Sequence, residues 1–222
     1  TEFVAEVQPS HTGFLVGPDL GMTNYHVVDE FRNAPDRARI RFDFKRLAAG
    51  ATPNKGTAYR LATNWLVEES RFSDHDLETP PTTLPDPDQL DYALIRLEKR
   101  AGDDELGGKP NASDAVKRGW LAMPAGNHSF VPQSPLFIVQ HPDGEPMKIA
   151  LDTQAVIGLN GNSTRVRYAT NTEPGCSGSP CFSIDLEWVA LHHAGDPKWV
   201  PKYNQGIPVA ALRKRIAAGL LG

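Results

Sequence analysis

The sequence predicts an all-β protein that ends in a single helix. Three observations carry that prediction. The 19 glycines and 19 prolines are spread along the whole chain and cut it into short runs rich in β-branched and aromatic residues, the pattern of a many-stranded sheet. A helical period occurs only over residues 209–221, where Val209, Leu212, Ile216 and Leu220 fall on one face. The length, 222 residues, suffices to bury a sizeable core, either in one large all-β domain or in two barrels of roughly 100 residues each.

Taken in order, strands are predicted at 13–16, 39–44, 92–96, 136–140, 147–149, 154–158, 165–169, 179–182, 188–192 and 206–208. Residues 68–89 shift to Asp, Glu, Pro, Ser and Thr with few apolar side chains, which predicts an exposed loop. The polar stretch 100–114, with its glycines and a proline, reads as the link between two halves. The expected division is therefore 1–110 and 111–222, with no internal repeat visible.

Charge and hydropathy exclude some partner classes. The net charge is −4 with both signs interspersed, so there is no basic stripe for nucleic acid and no polybasic segment for a membrane surface. Apolar stretches such as 136–139 fall far short of the roughly 18 residues that span a bilayer. Only two cysteines occur, Cys176 and Cys181. A secreted protein stapled by disulfides would be expected to carry several. Free thiols in the cytoplasm are the expectation, with secretion after processing as the other option; no charged start and apolar core precede Phe3.

The strongest chemical signal is Pro174-Gly175-Cys176-Ser177-Gly178-Ser179-Pro180. Glycines beside a serine let a substrate backbone come close, and a tight turn can aim the amides of Gly175 and Ser177 at one point. Alone, this is also an ordinary Gly/Ser-rich turn. Thr23-Asn24-Tyr25-His26-Val27-Val28 follows the strand at 13–16 and the turn Gly17-Pro18-Asp19. A lone histidine there is more often a satisfied core residue than a catalyst. Leu90-Asp91-Tyr92-Ala93-Leu94-Ile95 places an acid directly before an apolar run. Buried, that acid needs charge-assisted partners; exposed, it is a solvated strand end.

Jointly, His26, Asp91 and Ser177 in this order resemble the trypsin-like peptidase clan, since the same chemistry on subtilisin-like or hydrolase folds uses other orders. The resemblance is closest to the bacterial branch of glutamyl endopeptidases and high-temperature-requirement proteases, with Ser179-Pro180 after the nucleophile turn. It implies two six-stranded antiparallel β-barrels of the chymotrypsin-like kind plus a C-terminal helix. The first barrel would carry His26 and Asp91, the second Ser177 and the specificity pocket. It further implies a serine endopeptidase acting on protein or peptide, with His26 as general base, Asp91 orienting it, the Gly175 and Ser177 amides as oxyanion hole, and neither metal nor cofactor.

Cys176 stands where animal trypsins have the aspartate that pairs with a freed N-terminus. Activation by that salt bridge is therefore not expected; control by a regulatory domain or an activating protease would act through loop order or oligomerisation. His11, where relatives often have a small residue, has no reading from sequence. Two rival readings keep the same fold: an idle peptide-binding module that holds peptides by strand addition at Ala194-Gly195, and an esterase using the same triad.

By the same resemblance, the wall of the first specificity pocket comes from Asn171-Thr172-Glu173 and Ala190-Leu191-His192-His193-Ala194-Gly195. Asn171 replaces the acid that trypsins place six residues before the serine, which disfavours a basic P1 side chain. Thr172 and His192 both donate hydrogen bonds and suit Glu, Gln or Asp at P1; the alternative is that His192 only packs between strands and the pocket takes small or apolar groups. Glu173 opposes a carboxylate there. His193 reads as a strand neighbour beside the pocket, and the His192-His193 doublet lacks the further spaced ligands that a zinc site needs.

Overall fold

The computed structural model describes residues 4–8, 10–46, 48, 51–78, 82–106, 116–195, 203–217 and 219–220. The first half builds β1 (Val4–Gln8), β2 (His11–Leu15), β3 (Leu20–Thr23), α1 (Tyr25–Phe31), β4 (Arg39–Phe42), β5 (Thr57–Tyr59), β6 (Leu61–Ser70) and β7 (Tyr92–Leu97). The second builds β8 (Leu136–Gln140), β9 (Lys148–Asp152), β10 (Val156–Leu159), β11 (Val166–Tyr168), β12 (Pro180–Phe182), β13 (Trp188–Gly195), β14 (Asn204–Pro208) and α2 (Val209–Arg215). Each half is one antiparallel seven-stranded sheet, ordered β5-β4-β1-β2-β3-β7-β6 and β10-β11-β14-β13-β12-β8-β9. The all-β, two-barrel expectation with a C-terminal helix holds. The ladders run to seven strands rather than six; in the first sheet the short β5 adds itself to β4 through Ile40–Tyr59 pairing. The expected division at 110 lies outside the described residues.

Strand alternation generates three cores rather than two. In β2, Leu15 enters the first sheet's interior while Phe14 faces the other half; in β7, Ala93 and Ile95 go inward while Tyr92 and Leu94 go outward. The outward set meets Val139, Phe182, Trp188, Leu191 and Ile207 of the second sheet and Val209 and Leu212 of α2. This shared middle layer locks the two sheets together. A third cluster, with Ile138, Val166, Tyr168, Cys181 and Val189, fills the second sheet.

Three local expectations are corrected. Helix α1 was not anticipated: its apolar side chains Val27, Val28 and Phe31 drop into the first core, and seven residues are too few to show a clear 3.6-residue period. Helix α2 stops at Arg215 instead of running to 221, because Ile216 turns extended and packs its side chain into the middle layer. Within 68–89, Glu68, Glu69 and Ser70 close β6, and a 3-10 turn at Asp74–Leu77 buries Asp76. That turn is tied to the second sheet: Arg165, fully buried, donates from Nε to Asp76 Oδ1 (2.8 Å) and from Nη2 to Asp76 Oδ2 (2.7 Å).

Candidate active site

At the junction of the halves, α1 presents His26 beside Asp91, the residue just before β7. His26 Nδ1 lies 2.8 Å from Asp91 Oδ2, and the His26 backbone amide donates to Asp91 Oδ1 at 3.1 Å. One carboxylate thus holds both the ring and the first turn of the helix that carries it. Asp91 itself sits in the left-handed region (φ 45°), a conformation that Asp adopts more readily than most residues. Its amide donates to the Arg71 carbonyl (3.2 Å), and its carbonyl accepts from Asn24 Nδ2 (2.7 Å).

Asp91 is 1 % exposed. Burial, the largest influence, pushes its pKa up, but hydrogen bonds from His193 and His26 outweigh it and hold the acid well below the carboxylate range. On His26, burial pulls the imidazole down, whereas the Asp91 hydrogen bond and charge, aided by Glu30, leave it raised. The second histidine on Asp91 was missed as such in the sequence: His193 Nδ1 is 3.2 Å from Asp91 Oδ2, and its Nε2 is 4.0 Å from Asp76 Oδ1. A line of groups, His26–Asp91–His193–Asp76–Arg165, therefore runs through the protein beneath the cleft.

The serine turn is held peptide by peptide. The Pro174 carbonyl accepts from Asp143 N (2.7 Å), the Gly175 carbonyl from Thr12 Oγ1 (3.0 Å), the Cys176 carbonyl from Ser179 N (3.1 Å) and the Ser177 carbonyl from Thr12 N (3.0 Å). Because a trans peptide points its C=O and N–H in opposite directions, each contact also fixes an amide. Cys176 N donates to Glu173 O (3.3 Å) and Gly178 N to His192 O (3.0 Å). The amides of Gly175 and Ser177 have no acceptor among the described residues. Gly178, at φ 85°, is required here: a β-carbon would lie 2.1 Å from the Thr12 carbonyl oxygen and 2.3 Å from Thr23 Oγ1. That close approach sets the residue after Ser177 against Thr23, three positions before His26. The Ser177 hydroxyl and the His26 ring share no hydrogen bond among those of the described residues.

His11, unassigned from sequence, places its Nε2 2.9 Å from Glu30 Oε1 and its ring edge-on to His26 at 6.4 Å. Burial, the larger influence, lowers its pKa against the pull of Glu30. Cys176 and Cys181 are both free and buried. Burial pushes the Cys176 thiol up to about 12, which leaves it protonated beside Ser177.

The expected pocket residues separate. Asn171 is exposed and Thr172 half-buried. His192 is buried, with Nδ1 2.6 Å from Tyr168 Oη, and burial pushes its pKa down to about 3. His193 faces Asp91 on the opposite side of the strand, so its ring is committed to the acid. Ala194 and Gly195 border a recess of about 260 Å³ together with His26, Phe72 and Leu77. Among the described residues no helix is long and apolar enough to cross a membrane.

Two antiparallel sheets with a histidine–aspartate pair on one and a glycine-flanked serine on the other define the double-barrel hydrolase architecture. The chain belongs to the trypsin-like peptidase family: the model of the trypsin-like peptidase domain matches residues 11–191. It is similar to the uncharacterized protein y4fB of Sinorhizobium fredii, 29 % identical over 191 residues, covering 84 % of this chain and 25 % of that protein. It is also similar to a probable serine protease of Lysobacter enzymogenes, 26 % identical over 219 residues, covering 91 % of this chain and 31 % of that protein. The chain thus spans between a quarter and a third of the length of these curated relatives.

Among solved structures, a serine-to-alanine mutant of Rv3671c from M. tuberculosis H37Rv in its inactive form aligns with TM-score 0.58 at 13 % identity, over 96 % of this chain and 84 % of that one. The Rv3671c protease in its inactive form aligns with TM-score 0.56 at 14 % identity, over 96 % and 87 %. These two likenesses establish the fold.

Proposed function

We propose that this chain is a serine endopeptidase in which Ser177 attacks the scissile carbonyl, His26 takes its proton and delivers it to the leaving amine, and Asp91 fixes the His26 tautomer. Water then hydrolyses the acyl-enzyme through a second oxyanion. The observation that carries this reading is the serine turn, with four successive carbonyls engaged and the Gly175 and Ser177 amides left over. Two unspent donors beside a serine are what a developing oxyanion needs. A loop held this way also argues against an idle peptide-binding module.

For P1 the chemistry favours a carboxamide or carboxylate, and Gln above Glu. A His192 ring kept neutral by burial offers a hydrogen bond but no charge to offset a buried carboxylate. When Tyr168 Oη–H donates to Nδ1, Nε2 carries the proton and becomes the donor, with half-buried Thr172 as a second. The apolar recess walled by Phe72, Leu77 and Ala194 suits an apolar residue next to P1. A fluorophosphonate should label the wild type and not Ser177→Ala, and a peptide library should show cleavage after Gln. Labelling that survives Ser177→Ala removes the mechanism; cleavage confined to sites after Arg or Leu removes the P1 assignment. Hydrolysis of esters with no peptide cleavage would assign an esterase instead.

A further inference from the structure

We propose that Thr12, a residue of the first sheet, is the positioning residue that keeps the oxyanion hole of the second half assembled. The inference rests on the serine peptidase reading, but its structural content stands apart from turnover. Every polar group of Thr12 is committed. Its amide donates to the Ser177 carbonyl (3.0 Å) and its carbonyl accepts from Thr23 Oγ1 (2.8 Å). Its hydroxyl donates to the Gly175 carbonyl (3.0 Å) and accepts from the His141 amide (2.9 Å).

The two hole amides belong to the 174–175 and 176–177 peptides. Thr12 holds the peptides alternating with them, 175–176 through its hydroxyl and 177–178 through its amide. It also reaches the 174–175 peptide indirectly. The His141 contact anchors the turn from which Asp143 N grips the Pro174 carbonyl at 2.7 Å. Asp143 is in the left-handed region (φ 52°), which Asp adopts more readily than most residues and which turns its amide toward Pro174. One hydroxyl therefore joins the two turns whose relative position defines the hole.

No charge at position 176 performs this task. The Cys176 thiol is buried and, among the described residues, receives a weak contact from Glu173 N (3.4 Å). Without the Thr12 hydroxyl, the His141 amide and the Gly175 carbonyl would both lose their partner, and an unpaired buried peptide group gains by rotating toward any other partner. Rotation there misplaces the donors that flank it.

The test compares Thr12→Val, which keeps shape and backbone contacts but lacks the hydroxyl, with Thr12→Ser, which restores it. Thr12→Val is expected to lower kcat by about tenfold to a hundredfold with KM within about twofold, the signature of donors lost in the transition state. Thr12→Ser should recover most of the rate. Wild-type kcat in a folded Thr12→Val overturns the proposal, as does a loss that Thr12→Ser fails to repair. A crystal structure of Thr12→Val should show the Gly175 carbonyl turned from its present direction; an unchanged loop counts against the proposal even if the wild type proves not to be a peptidase. Should the valine variant not fold, amide exchange in the wild type decides. The His141 amide should be protected while those of Gly175 and Ser177 exchange fast, and equal rates would refute the clamp.

Discussion

Removing the Arg165 guanidinium should cost more stability than removing both members of its ion pair. The Arg165 guanidinium makes four hydrogen bonds: two to Asp76, one from Nη2 to the Gln89 carbonyl (2.8 Å) and one from Nη1 to the Thr164 carbonyl (3.0 Å). The Asp76 side chain is 4 % exposed. Arg165→Met fills the space but strands that carboxylate with the Ser73 amide (3.2 Å) as its remaining hydrogen-bond donor. Breaking a buried pair from one side typically costs about 3–5 kcal/mol. At about 2–4 °C per kcal/mol for a domain of this size, the melting temperature should fall by roughly 6–20 °C. The double variant Asp76→Leu/Arg165→Met removes both charges and should lie within about 1–2 kcal/mol of wild type. Urea unfolding and calorimetry of the four proteins measure the cycle. A single variant melting within about 2 °C of wild type, or a double variant as unstable as the two singles added, would refute the assignment of a charge stranded in a dry interior.

Two further predictions concern pH. Catalysis needs neutral His26, so with its pKa raised by Asp91 the acid limb of kcat/KM should have its midpoint above the ordinary imidazole value of about 6.5. Asp91→Asn should cost on the order of 10⁴ in rate and move that limb to lower pH; a wild-type limb at or below the ordinary value would contradict the pairing. For stability the sign is the reverse. His192 and His141 are neutral in the fold, with pKa pushed by burial down to about 3 and about 4. The unfolded chain takes up their protons first, so stability is full above about pH 6.5 and is lost as pH falls below it. At pH 5 each should cost about 2 kcal/mol. Opposing this, the raised pKa of His26 adds stability below its unfolded value. Urea midpoints at pH 7 and pH 5 that coincide would show these rings to be protonated or hydrated in the native state.

How much of this was legible in the sequence depended on whether a signal was local. The second sheet read well because its strands are separate apolar runs between turn residues, and all of its expected strands are present within a few residues. The first sheet read poorly. Strand β3, Leu20-Gly21-Met22-Thr23, is short and carries a glycine, and β6 is long but broken by register shifts at 61–68, so neither shows clean alternation. The middle layer adds to the difficulty: β7 is buried on both faces, which removes the polar half of the period-2 pattern. His26, Asp91 and the serine turn stood out in the sequence because each sits in a distinctive local frame. Arg165 with Asp76 was not, since no spacing rule pairs two isolated charges separated by most of a sheet.

The histidine doublet shows the same limit at the scale of one dipeptide. The strand register shifts between His192 and Ala194, and the two adjacent rings are committed to different partners. His192 turns to Tyr168, whose hydroxyl also lies against Cys181 in the third cluster, whereas His193 turns across the junction to Asp91. Chemistry then follows from side rather than from residue type. Burial holds the pKa of one ring down to about 3, and a carboxylate from the other sheet makes its neighbour part of the support under His26. The acid between the two sheets is thus gripped from both, which ties the orientation of the His26 ring to the packing of one half on the other. A perturbation of that packing should reach His26 through Asp91 and the serine turn through Thr12, since both are fastened across the same junction.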